Sequence, residues 1–330
     1  MHLMQIVTEG GVRRVAALED GARSAYVLAD AITVRDLALR AIEAGTTLAG
    51  MTALLRTSEP VDPAALLSEG RVICPIDHPD PAHLYVTGTG LTHLGSAASR
   101  DDMHRKPIAD SEMTDSMRLF LMGREGGKPA SGQTGVQPEW FYKGNGSIIA
   151  APGAALDSPA FALDGSEEPE IAGIYLIGPD GTPFRLGFTL ANEFSDHVME
   201  RQNYLYLAHS KLRACAIGPT LLLGELPPDV RGRSRILRDG HVVWERDFLT
   251  GEANMAHSIA NLEAHHFKYP AFRRPGDIHV HFFGTATLSF TDGVELHEGD
   301  MFDIAAGPFP LSLSNQLRRV AAEAVRVAAL

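Results

Sequence analysis

Three acidic side chains near the middle of the chain have the types and spacing for cation chemistry. Glu168-Pro169-Glu170 opens an apolar run that ends at Ile177, and Asn192-Glu193 follows a second apolar run, Phe184 to Leu190. Side chains alternate along a strand, so a strand starting at Glu168 points Glu168 and Glu170 to one face, where like charges repel unless something neutralises them. The turn Gly178-Pro179-Asp180-Gly181 would fold the second run back beside the first and bring Glu193 to the pair. Three carboxylates select a hard cation such as Mg²⁺, with Mn²⁺ or Ca²⁺ as alternatives, and such a cation activates an oxygen-rich, anionic substrate. The competing reading is a solvated acidic loop around Glu167-Glu168.

A second candidate is Lys211, at the end of Asn203-Tyr-Leu-Tyr-Leu-Ala-His-Ser-Lys211. A lysine close to a divalent cation and apolar neighbours can have its pKa lowered and act as a base, whereas a surface lysine stays protonated. A third is Pro138-Glu-Trp-Phe-Tyr-Lys143, where Glu139 and Lys143 share a strand face and would pair with each other across the aromatics. Histidines are plentiful, with His279 and His281 alternating and His265 and His266 adjacent, but none has the spacing of a zinc site, so packed or surface roles are expected. Gly88-Thr-Gly90 lacks the third glycine of a dinucleotide fingerprint. Gly126-Gly-Lys128 is followed by Pro129 where a phosphate loop needs Ser or Thr, and no GxSxG elbow is present.

The elements that must position these groups follow from pattern. Val34, Leu37, Ala38, Ala41, Ile42 and Leu48 have helical spacing ahead of Glu59-Pro-Val-Asp-Pro63, which predicts a small N-terminal α/β module over residues 1–70. From Arg71 the chain turns to short apolar strands broken by Gly, Pro and Asp, with helices near Asp110 to Met122 and Asn254 to His266 and a mobile loop at Gly123 to Gly135. The predicted class is α+β, with residues 71–330 forming a β-rich catalytic domain. A charge of 29 minus 41, or −12, disfavours nucleic acid and anionic membrane as partners. Cys74 and Cys215 form no disulfide framework or zinc motif, no apolar run approaches the roughly 20 residues of a membrane helix, and the N-terminus has no signal-peptide pattern, so a cytosolic protein is expected.

Read in order, these segments resemble the fumarylacetoacetate hydrolase superfamily over residues 70 to 317. Its E-x-E pair, G-Y-T-x-x-N-D segment, lysine, G-P, PGD turn, GT dipeptide and LxxGD turn are matched by Glu168-Pro-Glu170, Gly187-Phe-Thr-Leu-Ala-Asn-Glu193, Lys211, Gly218-Pro219, Pro275-Gly-Asp277, Gly284-Thr285 and Glu298-Gly-Asp300. Glu193 stands where aspartate is usual, which lengthens the arm and keeps the donor type. Within the superfamily the chain is most similar to the 2-keto-3-deoxy sugar-acid dehydratases. Their E-x-E-N-P-L-Y-L-P-x-A-K segment parallels Glu200 to Lys211, and their R-P-E-F-F-F-K parallels Gln137 to Lys143. Counting back from Gly218-Pro219 instead would put His209 in the lysine's place. The hydrolytic members carry N-Y-x-x-H-x-x-E, whose His and Glu activate water; here Ser96 and Ser99 occupy those places, and His93 lies three residues earlier.

The resemblance implies a mixed β-rich fold and a homodimer. It further implies Mg²⁺ on Glu168, Glu170 and Glu193, with Lys211 as base and Glu139 as acid. Lys143, Thr92, Ser96 and Thr285 would hold a small 2-oxo sugar acid. The implied activity is dehydration of a 2-keto-3-deoxy pentonate to 2-oxoglutarate semialdehyde. C–C hydrolysis of a 2,4-diketo acid is the alternative on the same scaffold, and a non-catalytic sugar-acid binding protein is the alternative of another class.

Overall fold

A computed structural model describes residues 1–94 and 115–330, so Ser96 and Ser99 lie outside the described residues. Among the described residues the chain forms strands, seven α-helices and short 3₁₀ turns, the strands arranged in one sheet of thirteen and one of five. The mixed, strand-rich α+β class is the one expected from sequence.

The central hairpin pairs Pro169–Ile177 with Pro183–Asn192, antiparallel, through the Gly178 to Thr182 turn, whose ends are joined by Gly178 N–H donating to the Thr182 carbonyl at 2.8 Å. Every residue of the first strand is buried, and its alternation sends opposite faces to different cores. Ile171 packs with Phe188, Leu190, Phe302 and Ile304 between the two sheets. Ala172, Ile174 and Leu176 pack with Val86, Val280, Phe282 and the helix Val34–Glu43. A strand covered on both sides reads as a continuous apolar run rather than an alternating one. Fully burying each Ile or Leu here stabilises by about 1.5–3 kcal/mol. The register shifts after Ile174, and Gly187 sits at that bulge because a Cβ there would overlap the Leu222 carbonyl.

In residues 1–70 the helical pattern around Val34 to Leu48 forms two helices, Val34–Glu43 and Leu48–Leu55, accompanied by a third, Pro63–Ser68, and by four strands that the helical pattern did not reveal: His2–Val7, Arg13–Leu18, Ala25–Leu28 and Arg56–Val61. These strands continue the thirteen-stranded sheet, because His2 and Leu3 pair with Leu222 and Leu221. Two other readings need correction. Gly123 to Gly126 closes the helix Asp115–Gly126 rather than beginning a mobile loop. The residues after it are tied down, with Gly135 N–H donating to Asn261 Oδ1 at 2.8 Å and Asn261 Nδ2 donating to the Val136 carbonyl at 2.9 Å. The later helix spans Ile259–Phe267, five residues beyond the start expected at Asn254, because Ser258 rather than Asn254 supplies the N-cap.

Candidate active site

The hairpin ends place the acids. Glu168 and Glu170 flank Pro169 at the first strand's start, and Glu193 follows the second strand's last residue, with Glu193 N–H donating to the Glu168 carbonyl at 3.0 Å. All three are buried, and each offers a carboxylate oxygen within 4.8 Å of the other two. Among the described residues no other His, Cys, Asp or Glu side chains come together in this way, and the histidines accordingly form no ligand cluster. Glu170 Oε2 accepts from Gly284 N–H at 2.7 Å, while Glu170 Oε1 and Glu193 Oε1 are buried without a hydrogen-bond partner. Buried acceptors are normally satisfied, so two orphaned oxygens in an all-carboxylate cluster fit a hard divalent cation.

Lys211 ends the helix Leu207–Lys211 and is buried, whereas His209 on the same helix is exposed. Of the two registers that the sequence left open, the structure brings Lys211 to the acids: its Nζ lies 2.5 Å from Glu168 Oε1 and 3.4 Å from Glu193 Oε2. Burial pulls the ammonium pKa down, but the two carboxylates outweigh it and hold Lys211 protonated, against the lowered value expected for a base. Buttressing comes from the buried pair Arg213 and Asp196 at 2.9 Å, and from Asp196 N–H donating to the Ser210 carbonyl at 3.1 Å. These bonds lock the Lys211 segment to the one carrying Glu193.

Glu139 and Lys143 do not pair with each other. Only Phe141–Asn145 is strand, so the two side chains are not held on one face. Lys143 is wholly buried and donates to the Phe194 carbonyl at 2.6 Å and the Lys211 carbonyl at 3.0 Å, with Glu193 Oε1 at 3.8 Å. It lies behind Glu193, where burial lowers its pKa. Glu139 instead accepts a hydrogen bond from the Tyr204 hydroxyl. Burial raises its pKa, which favours the acid form.

The remaining candidates surround the Glu170 side. Thr92 donates to the Phe283 carbonyl, next to the Gly284 that binds Glu170. Thr285 is half-buried, and its hydroxyl accepts from Thr287 N–H at 3.3 Å. His93 is buried between Thr92 Oγ1 at 3.0 Å and Thr250 Oγ1 at 2.9 Å, and burial lowers its pKa to about 3. Since Thr92 gives its proton to Phe283, it must accept from His93 Nδ1, and Thr250 then donates to Nε2. Both ring nitrogens are occupied.

Sequence reasoning missed His197. Its Nε2 lies 3.0 Å from Glu168 Oε1, and its Nδ1 contacts Ser166 Oγ at 2.6 Å and Asp164 Oδ2 at 3.8 Å. Burial disfavours its charge, but Asp164 and Glu168 raise its pKa to about 9, and with Lys211 it holds Glu168 below the usual carboxylate range despite burial. Glu167, bonded to Ser289 N–H at 2.9 Å and Ser289 Oγ at 2.7 Å, faces away from this cluster. The only sequence signal for His197 is an imidazole four residues beyond Glu193.

Burial, reinforced by the neighbouring acids, raises Glu170 well above the carboxylate range and brings Glu193 to about 7. Protons therefore compete with a cation. Mg²⁺ affinity is expected to rise with pH through about 7, with proton release on binding. Calorimetric titration in two buffers of different ionisation enthalpy measures both, and an affinity that did not change between pH 6 and 8 would contradict this electrostatic picture.

No family model matches the chain. It is similar to a probable 2-keto-3-deoxyxylonate dehydratase of Haloferax volcanii, with 25% identity over 311 residues that cover 92% of this chain and 95% of that protein. It is also similar to a 2-dehydro-3-deoxy-D-arabinonate dehydratase of Saccharolobus solfataricus, 28% identical over 178 residues, 48% of this chain and 58% of the relative. Among solved structures, 2-keto-3-deoxy-D-arabinonate dehydratase complexed with magnesium and 2,5-dioxopentanoate superposes with a TM-score of 0.70 at 19% identity, covering 98% of this chain and all (100%) of the other. A 5-carboxymethyl-2-hydroxymuconate delta-isomerase from Mycobacterium smegmatis gives 0.58 at 17% identity, covering 97% and 100%. The chain shares its fold along nearly its whole length with these proteins, and its ordered E-x-E, N-E and lysine positions converge on one buried cluster, which supports the resemblance to the fumarylacetoacetate hydrolase superfamily.

Proposed function

We propose that the protein is a lyase, a metal-dependent dehydratase that converts a 2-keto-3-deoxy pentonate to 2-oxoglutarate semialdehyde. The observation that carries the reading is the buried carboxylate triad with Lys211 against it. A divalent cation, Mg²⁺ by preference, held by Glu168, Glu170 and Glu193 would supply positive charge that stabilises an enolate and loosens the carboxylates' hold on the Lys211 proton. Lys211, in its neutral form, then accepts the proton from C3, and Glu139, whose acid form burial favours, gives a proton to the departing C4 hydroxyl. Loss of that proton and hydroxyl removes one water, and proton shifts carry the unsaturation to C5 to leave the aldehyde. Thr285, beside the Gly284 that binds Glu170, would hold the substrate's carboxylate, and Thr92, whose own proton goes to the Phe283 carbonyl, would accept from a substrate hydroxyl. His197 and Lys143 hold the acids in place.

Dehydration is favoured over diketo-acid hydrolysis because hydrolysis needs a base for water. His93, the histidine of that loop, has both ring nitrogens engaged by threonines. The superfamily relatives named as dehydratases support the same choice. Action on a small 2-oxo sugar acid in the cytoplasm, as a homodimer, belongs to the same reading; no helix among the described residues is long and apolar enough to cross a membrane. The test is incubation with Mg²⁺ and each substrate class. Semialdehyde from a 2-keto-3-deoxy pentonate is expected, whereas pyruvate from a 2,4-diketo acid without any semialdehyde would establish the hydrolase instead. Binding of sugar acids with no turnover under any divalent metal would establish the binding protein.

A further inference from the structure

The hydroxyl of Tyr204 makes a contact that the resemblance does not explain. In the dehydratase segment E-x-E-N-P-L-Y-L-P-x-A-K, proline occupies the position where this chain has Tyr204. Tyr204 lies on a short 3₁₀ turn, Tyr204–Tyr206, that runs directly into the helix carrying Lys211, and the turn is capped by Asn203, whose side chain accepts from Leu205 N–H at 3.0 Å. Tyr204 is 40% exposed, yet its hydroxyl donates to Glu139 Oε1. The other oxygen, Oε2, packs over the Cα of Gly90, where a Cβ would overlap it. The carboxyl is thus clamped, with Oε1 occupied and Oε2 left to carry the transferable proton.

We propose that Tyr204 is a positioning residue for the elimination step: through its hydrogen bond to Glu139 it aims the acid and stabilises the negative charge that appears on Glu139 as its proton leaves. The proposal rests on the dehydratase reading. A hydrogen bond to a carboxylate is roughly twice as strong as one to the neutral acid, so the contribution is largest in the transition state and belongs in kcat rather than KM. The charged groups within electrostatic reach of Glu139 are Lys211, which favours its ionisation, and Glu200 and Glu168, which oppose it. Tyr204 acts with Lys211, so its removal makes Glu139 a weaker acid.

The test is Tyr204→Phe, which keeps the exposed ring and deletes only the donor, alongside Glu139→Gln and the double variant. Semialdehyde formation is followed across pH in the Mg²⁺-loaded enzyme. For Tyr204→Phe, kcat is expected to fall about tenfold with KM within twofold, and the alkaline limb of kcat should move to higher pH. The double variant should be no slower than Glu139→Gln. Deuterium uptake at C3 of 2-oxobutanoate, which has no hydroxyl to lose, reads the enolising half of the site separately and should fall less than twofold in Tyr204→Phe. Turnover within twofold of the parent, an unmoved limb, additive losses in the double variant, or an equal loss of deuterium uptake would each overturn the proposal. If the parent enzyme enolises 2-oxobutanoate but makes no semialdehyde, the functional reading fails, and the proposal with it. If the parent makes semialdehyde and Tyr204→Phe does too at the same rate, only the proposal fails.

Discussion

Glu170→Gln is expected to abolish metal-dependent turnover, by roughly a thousandfold or more, while making the metal-free protein more stable. The two effects have one cause. Glu170 Oε1 is buried with no partner and shares its pocket with Glu168 and Glu193, so in the absence of a cation burial and two neighbouring acids all oppose its charge. A glutamine keeps an oxygen for the Gly284 N–H, which Glu170 Oε2 now accepts at 2.7 Å, and turns the orphaned oxygen into an N–H donor facing two carboxylates. Relief of this kind is worth about 1 kcal/mol, or about 1–2 °C in the melting midpoint of a chain this large. The parent, by contrast, should gain about 2.7 kcal/mol at a Mg²⁺ concentration one hundred times its Kd, and the variant should gain almost none. Melting curves in EDTA and in Mg²⁺, with turnover measured on the same samples, check both halves. A variant that kept the Mg²⁺-dependent rise would show that the cation binds elsewhere.

Lys211→Met should be as damaging to catalysis and far more damaging to the metal-free fold. Lys211 Nζ sits 2.5 Å from Glu168 and 3.4 Å from Glu193, with all three side chains buried. Removing one member of a buried ion pair leaves the other uncompensated and typically costs about 3–5 kcal/mol. His197 softens the loss because it also faces Glu168, at 3.0 Å. Turnover should fall roughly a thousandfold or more, since the side chain assigned to take the C3 proton is gone. Lys211→Arg separates the two roles. It restores the charge, and so most of the stability in urea, but a guanidinium does not give up its proton in the accessible range and should restore neither semialdehyde formation nor C3 deuterium exchange. An active Lys211→Arg enzyme would remove Lys211 from the base role.

Much of the cluster was legible before any coordinates. The E-x-E parity depends only on the period of a strand, and the Gly178 to Gly181 turn sets how the second strand returns, so the proximity of Glu168, Glu170 and Glu193 could be read from spacing. Other features were hidden for physical reasons. The four N-terminal strands were masked by helical periodicity between them, and their partner, Leu221–Leu222, lies two hundred residues on in the chain. Lys143 looked like a partner for Glu139 because local alternation says which face a side chain takes but not where a strand begins, and the strand begins only at Phe141. His197 carries no motif, and its contact with Glu168 forms only because the hairpin ends and the following helix fold against each other.

By itself the sequence determined the chemistry on offer: a hard-cation donor set, a lysine in reach of it, and the class of fold able to hold both, because residue type and short-range periodicity are local properties. The tertiary structure alone decided which charges face one another. Lys211 rather than His209 turns inward, Lys143 stands behind Glu193, and Tyr204 rather than Lys143 holds Glu139. Those choices depend on burial and on contacts between segments up to 68 residues apart, where a change of one residue in a helix or strand start reverses which side chain points into the core.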